Sequence, residues 1–528
     1  MTALHGSAAG PVGGPFETGA GRWGLAVALL LAHGALTLGL STGLARDELE
    51  SMLFAQGWAW GYDFEQPPLY NWLQMAVTEA VGPSLAGSIL LRWGIIAAGL
   101  LALYDAIRRM AGGDAALAAG AVAGMAGTAL FGFEGARHFT HTTLALTATA
   151  GLLWAAVRVV ERPSAPRYVL LGLALTAALL SKYTLALFAV ALGLGVLADP
   201  VTRARLFDRR ILWAAVVPLL ALPGHLLWRL GQSGSLADRV ATITDGGTGD
   251  ALAALAGLAR NVVADPLAGM APPLVLILVL LPWWRKGARA AAPPAETPGG
   301  RWDRVLLVFV VAAMALTLAV VLASGGDRLR YHYLMPAALV MPAIPLLWWG
   351  RRGAALAAGR RRALGWGLAG LATLFVLGSG VNRLWIEPAT CGRCLPLLPS
   401  EAAAAAVRDA GFTQGTIVAG PLDWGANLRP AFPEVRLIAR HYPDWRPSTP
   451  PGTGACLILL SPRELEDARA GTLEPGPLTD AVSAMVGAAM PADWLEGLVV
   501  RDLPLTGAPD RTIPFGFVLV RDGVGDCR

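Results

Sequence analysis

Apolar runs of about 15–22 residues recur along the first 380 positions, divided by short polar segments. They fall at 22–43, 85–104, 114–133, 141–159, 167–181, 183–199, 211–230, 266–283, 304–324, 332–349 and 364–381. Crossing ~30 Å of hydrocarbon takes about 20 apolar residues, so each run reads as a spanning helix, with the fifth and sixth short. Beyond 382 the period changes. Short apolar runs at 416–419, 435–439, 456–460 and 515–520 read as buried strands, with helix-like stretches at 401–410 and 462–470. Pro and Gly mark a turn at 447–454. The pattern predicts an all-α polytopic membrane domain of about 11 transmembrane helices over 22–381, preceded by a tail at 1–21. A small α/β domain of 382–528 should follow.

Composition agrees with that division. Hydrophobic residues make up 55% of the 528 positions and charged residues 15%, where soluble proteins carry about 25%. Mean hydropathy is +0.53. The net charge of +5 needs no nucleic acid to explain it, because the Arg residues gather in alternate loops. These hold Arg108/Arg109, Arg162/Arg167, Arg203/Arg205/Arg209/Arg210, Arg285/Lys286/Arg289/Arg301/Arg304 and Arg351/Arg352/Arg360/Arg361/Arg362. Basic loops stay cytoplasmic. The predicted topology is therefore multi-pass in the inner (plasma) membrane, with the first loop 44–84, the loop 231–265 and the C-terminal domain exterior, or periplasmic. The run beginning at Trp23 is too long for a signal-peptide core and reads as a retained helix.

All four cysteines lie in the exterior part. Cys391-Gly392-Arg393-Cys394 has no second pair or His cluster at zinc spacing. In an oxidising compartment it reads as a structural disulfide, with Cys456 and Cys527 as a possible second bridge.

The candidate chemistry sits in the first exterior loop, where Arg46-Asp47-Glu48 precedes Gly61-Tyr62-Asp63-Phe64-Glu65-Gln66-Pro67-Pro68-Leu69-Tyr70. Acids beside lipid are costly and mark function. Residues 48–60 are amphipathic, with Leu49, Met52, Leu53, Trp58 and Trp60 suited to the bilayer surface. Pro67-Pro68 fits the first turn of a second surface helix. Two further positions stand out. The fifth run, from Arg167, is only about 22 Å long as a helix, which draws Lys182 and Tyr183 down toward lipid-phosphate depth; the alternative is a lysine snorkelling from a helix end. His138 and His141 bracket a short turn and read as a polar helix start rather than a metal pair.

Taken together, the Asp-Glu pair after the first run and Gly-Tyr-x-x-x-x-Pro-Pro-Leu-Tyr-x-Trp-Leu resemble the first exterior loop of GT-C glycosyltransferases. The likeness is to the family 39, protein mannosyltransferase-like bacterial enzymes, relatives of the aminoarabinose lipid A transferases. Arg137-His138-Phe139-Thr140-His141, Leu180-Ser181-Lys182-Tyr183-Thr184 and Tyr333-Leu334-Met335-Pro336 extend it over about residues 20–380.

The resemblance implies an inverting transfer of a hexosyl or pentosyl group from a polyprenyl-phosphate-linked donor. The acceptor would be a lipid, polysaccharide or protein on the outer face. It implies Asp47 as general base with Glu48 beside it, and Glu65 near the donor phosphate or a metal. A phosphate leaving group needs fixed positive charge, for which Arg137, Lys182 and Arg330 are candidates, with Tyr183 and Tyr333 alongside. The resemblance fixes no cofactor and leaves a divalent metal open. Gln66 stands where relatives carry Lys or His, His332 where they carry Arg, and Gln232 where a His follows Trp228 by four residues. His225 is near but at another spacing. The rival class is a transporter or lipid flippase, which should show internal repeats or mid-membrane charges; the acids here gather at one mouth instead.

Overall fold

The computed structural model describes residues 10–134, 139–232, 256–281, 299–324, 331–352, 356–448, 454–521 and 524–527. Helices stand at each of the eleven predicted places, but they are not eleven unbroken spans. Among the described residues five helices are long and apolar enough to cross a membrane, and eight if each bent pair counts as one span.

Helix α1 (Gly19–Leu40) starts on Thr18, whose hydroxyl accepts the Gly21 N–H. In the first loop α2 (Asp47–Phe54) and α3 (Leu69–Val81) follow, and then α4 (Leu85–Met110). The third run gives only α5 (Ala115–Ala126), capped by Asp114. Next come α6 (His141–Glu161) and α7 (Ala165–Ser181).

Proline explains the broken runs, since it lacks the N–H that continues a helix. The sixth run splits into α8 (Leu185–Leu197) and α9 (Pro200–Leu206), bent by 120° at an Asp199 cap. The seventh splits at Pro223 into α10 (Ile211–Ala221) and α11 (Pro223–Leu230), bent by 47°. The eighth bends by 62° before Ala271–Leu280. Helix Trp302–Ala323 is continuous; the tenth run is two short helices, Met335–Ala338 and Ala343–Arg351, meeting near Pro342. Helix Ala358–Val381 closes the bundle. Within it α4 packs on α6 at Gly99, where Thr147 lies close and its hydroxyl donates to the Ile95 carbonyl at 2.8 Å. Small residues at such crossings let backbones approach in lipid.

The C-terminal segment folds around a five-stranded sheet of order β2-β1-β3-β5-β4. Strands β1 (Gly415–Ala419), β2 (Arg436–Ala439) and β3 (Ala455–Leu459) are parallel, with Ile417 opposite Leu437 and Leu457. Strand β5 (Ala508–Val520) runs antiparallel to β3 and forms a hairpin with β4 (Val499–Leu505). Four of these strands match the predicted ones, while β4 was not anticipated. The 447–454 turn falls partly outside the described residues. Cys391 is bridged to Cys394 and Cys456 to Cys527.

One expectation is overturned. Leu49, Met52 and Leu53 do not face lipid: they are buried in one apolar cluster with Ile417, Trp424, Leu437 and Phe515 of the C-terminal segment. Only Trp58 and Trp60, 53% and 56% exposed, remain available to a bilayer surface. The amphipathic face of α2 was read correctly as apolar, but protein covers it.

Candidate active site

The chain enters α2 through two constrained residues. Gly43 lies against the Leu395 backbone, where a Cβ would clash, and its N–H and that of Thr42 donate to the Pro396 carbonyl. Arg46 then takes φ of 37°, a sparsely populated conformation for a side-chain-bearing residue. Three acids, Asp47, Glu48 and Glu50, occupy the first turn of α2, where the exposed N–H groups favour negative charge.

Each acid has its own surroundings. Glu48 is buried; it pairs with Arg92 of α4 at 2.9 Å and accepts the Ala45 N–H at 3.1 Å. Asp47 accepts the Thr140 N–H at 3.3 Å, at the N-terminal end of α6. Crowding by protein atoms raises the Asp47 carboxyl above its ordinary range, against the opposing pull of Thr140 and of the Lys182 charge. Burial likewise pushes Glu50 up to about 8, with Asp47, Asp63 and Glu65 adding repulsion.

Lys182, at the C-terminal end of α7, is 5% exposed. Its ammonium donates to Thr142 Oγ1 at 2.8 Å and lies 4.4 Å from the centre of the Tyr333 ring. His332 packs between Phe139 and Tyr333, with ring centres at 5.4 and 4.4 Å. So Asp47, Lys182 and Tyr333, which are far apart in sequence, converge on the ends of α2, α6 and α7.

Tyr183 turns instead to α11, its hydroxyl 3.1 Å from His225 Nε2, while His225 Nδ1 meets the Trp60 carbonyl at 2.7 Å. Trp60 and Gly224, and Trp228 and Gly61, lie so close that a Cβ on either glycine would enter the opposing indole. Glu65 sits in the first loop with Asp63, whose carboxylate accepts the Gln66 N–H at 3.0 Å. Arg137, His138 and Arg330 lie outside the described residues. His141 packs at a tilt against Tyr70, with ring centres 5.5 Å apart. Among the described residues no three His, Cys, Asp or Glu side chains are grouped to hold a metal ion.

Sequence reasoning missed Arg92 and Glu50, and noted His225 only as a histidine at another spacing. Glu50 had a signal, since it follows Asp47 by three residues and shares its helix face. Arg92 had one too, as a cation inside a predicted span.

The chain matches the dolichyl-phosphate-mannose-protein mannosyltransferase family over residues 65–228. It is 29% identical over 338 residues to the lipopolysaccharide core galacturonosyltransferase RgtA of Rhizobium johnstonii, covering 64% of this chain and 66% of that one. It is 27% identical over 513 residues to RgtB of the same organism, covering 93% and 97%. In fold it is similar to ArnT from Cupriavidus metallidurans, solved bound to undecaprenyl phosphate, with a TM-score of 0.58 at 15% identity, covering 97% of this chain and 100% of that one. In these sequence matches and in fold the chain is similar to the GT-C glycosyltransferases. It is a multi-pass membrane protein.

Proposed function

We propose that this protein transfers a sugar from a polyprenyl-phosphate-linked donor to a lipid or glycan acceptor at the outer face of the membrane. The observation that supports this best is the convergence of one carboxylate, Asp47, with one buried cation, Lys182, beside the Tyr333 ring. Displacing a phosphate needs no strong acid behind the leaving group. One base for the acceptor hydroxyl and one positive charge for the phosphate suffice.

In this reading the acceptor oxygen attacks the anomeric carbon and gives its proton to Asp47. The bond from that carbon to the phosphate oxygen breaks, and polyprenyl phosphate leaves with the electron pair beside Lys182. Direct displacement inverts the anomeric centre. Glu48, neutralised by Arg92, fixes α2 rather than reacting. Tyr183, held by His225, and Glu65 shape the donor side, and Arg137 and Arg330 supply further charge there. The exterior, periplasmic placement of 44–84 and 382–528 follows from the Arg-rich loops on the other side. The family relatives named above make a galacturonosyl donor and a lipopolysaccharide core acceptor the first pair to assay.

The test is the glycolipid and surface-polysaccharide profile of a deletion strain, complemented with wild type or with Asp47→Ala. Loss of one sugar in the deletion, restored only by wild type, supports the reading. Identical profiles in all strains would remove it.

A further inference from the structure

A cavity of about 360 Å³ lies between α1, α4, α5, α6 and the Ala358–Val381 helix. Its wall is apolar, with Leu25, Leu29, Ala97, Ala126 and Leu146 among the lining residues. Several polar side chains in it are turned to protein partners. The Thr143 and Thr147 hydroxyls donate to the Phe139 and Ile95 carbonyls at 2.7 and 2.8 Å, and His33 Nε2 meets Ser379 Oγ at 3.1 Å. Those groups are satisfied, which leaves a wall suited to a hydrocarbon chain and not to a sugar. The mouth opens sideways. Trp23, Val27 and Leu101 line it and are 45%, 49% and 52% exposed, and on spanning helices such residues meet lipid.

The cavity has the depth of one leaflet. On α1 its lining runs from Arg22 to His33, about 16 Å along a helix and roughly half of the ~30 Å hydrocarbon core. With the Arg-rich loops cytoplasmic, the Arg22 end is the cytoplasmic one. Positive charge gathers there. Arg22 donates to the Phe16 and Glu17 carbonyls at 2.7 and 3.2 Å, while the Glu17 carboxylate pairs with Arg361 at 2.7 Å. The Arg361 carbonyl accepts the Gly13 N–H at 3.0 Å, so two guanidinium-bearing residues flank this turn and share one carboxylate. Phe16, within the turn, lines the cavity. Trp23 and Tyr104 meet at the same end with ring centres 5.3 Å apart, as aromatics do at a bilayer surface.

We propose that this cavity binds an anionic glycerophospholipid of the cytoplasmic leaflet, with one acyl chain inside and the phosphate at Arg22 and Arg361. Apolar fit, leaflet depth and charge at the head-group end point to the same occupant. The lipid also supplies cover that the protein leaves out. Only 11% of the apolar stretch of α1 is buried by protein, the least among the five unbroken spans. A chain packed between α1 and α4 adds the missing contacts, and α1 leads through Thr42–Arg46 into α2. A donor with its phosphate at Lys182 would enter from the opposite face. The inference rests on the membrane orientation and is independent of the proposed transfer.

The experiment measures lipid binding and thermal unfolding of the full chain in detergent. After delipidation, phosphatidylglycerol, phosphatidylcholine or polyprenyl phosphate is added. Ala97→Phe and Ala126→Phe fill the cavity from α4 and α5, and Arg22→Gln removes a head-group charge while leaving the chamber. Wild type should gain more unfolding temperature from phosphatidylglycerol than from phosphatidylcholine, and each filling variant should lose that gain. Arg22→Gln should bind phosphatidylglycerol about fivefold more weakly, the loss expected for one basic side chain beside an anionic lipid. Equal shifts with the two phospholipids overturn the proposal, as does unchanged phosphatidylglycerol binding in a folded filling variant. Displacement of phosphatidylglycerol by polyprenyl phosphate also overturns it, because the cavity would then hold the donor. If neither filling variant folds, Arg22→Gln decides, and unchanged affinity there overturns the proposal. Sugar transfer is not read in this assay, so failure of the transfer reading would leave its result standing.

Discussion

Glu48 and Arg92 form a 2.9 Å ion pair with side chains only 4% and 1% exposed. The pair fastens α2, which carries the candidate base, to α4 of the bundle. Removing one partner leaves a buried charge uncompensated, at a cost of ~3–5 kcal/mol, whereas replacing both by apolar or neutral groups is far milder. Arg92→Met should therefore lower the unfolding temperature in detergent sharply, and adding Glu48→Gln should restore much of it. Equal stability of wild type and Arg92→Met would show that the pair does not hold α2.

Lys182 is held in place by Thr142 and the Tyr333 ring. A charge-assisted hydrogen bond to phosphate is worth ~1.5–3 kcal/mol, or roughly 10- to 100-fold in affinity. Lys182→Met should weaken polyprenyl-phosphate binding by about that factor while the protein still inserts and folds. Thr142→Val, which removes only the tether, should cost less. Unchanged affinity in Lys182→Met would return the lysine to a helix-end role.

The C-terminal segment grips the far end of α2. Arg429 donates to the Met52 and Ala55 carbonyls at 2.6 and 3.2 Å, satisfying acceptors that a helix end leaves open. The Gln56 amide exchanges two hydrogen bonds with the backbone of Leu437 in β2, at 2.8 and 2.9 Å. Gln56→Ala strands both Leu437 groups, which should cost ~1–3 kcal/mol. With α2 loosened, the transfer rate should drop more than donor affinity does. Steady-state kinetics separates the two, and a change confined to KM would mean that the grip does not position Asp47.

The sequence carried the bundle because lipid imposes a long apolar run on every crossing, as at 304–324 and 364–381. It carried helix breaks less well. Pro200, Pro223 and Pro342 were in view, but the bends they produce depend on which neighbours satisfy the freed backbone. Strand β4 escaped because the Val499–Leu505 strand pairs only with β5 and is mostly uncovered, so its burial alternation is weak and Pro504 interrupts it. In the site, Asp47 and Lys182 were legible through motif and helix length. Their convergence with Tyr333 was suggested only by resemblance. The apolar face of α2 illustrates the limit most directly: amphipathicity tells that Leu49 and Met52 need cover, but lipid and a sheet some 380 residues away leave the same pattern.

The account stands most directly on Asp47 as the one base of the transfer. The decisive measurement is the rate of sugar transfer from a polyprenyl-phosphate-linked donor by purified wild type and Asp47→Asn in proteoliposomes, with donor affinity measured alongside. General-base catalysis contributes about 10²–10⁴-fold. Asp47→Asn should bind donor about as well as wild type and transfer at least ~100-fold more slowly. Transfer at the wild-type rate would contradict the account.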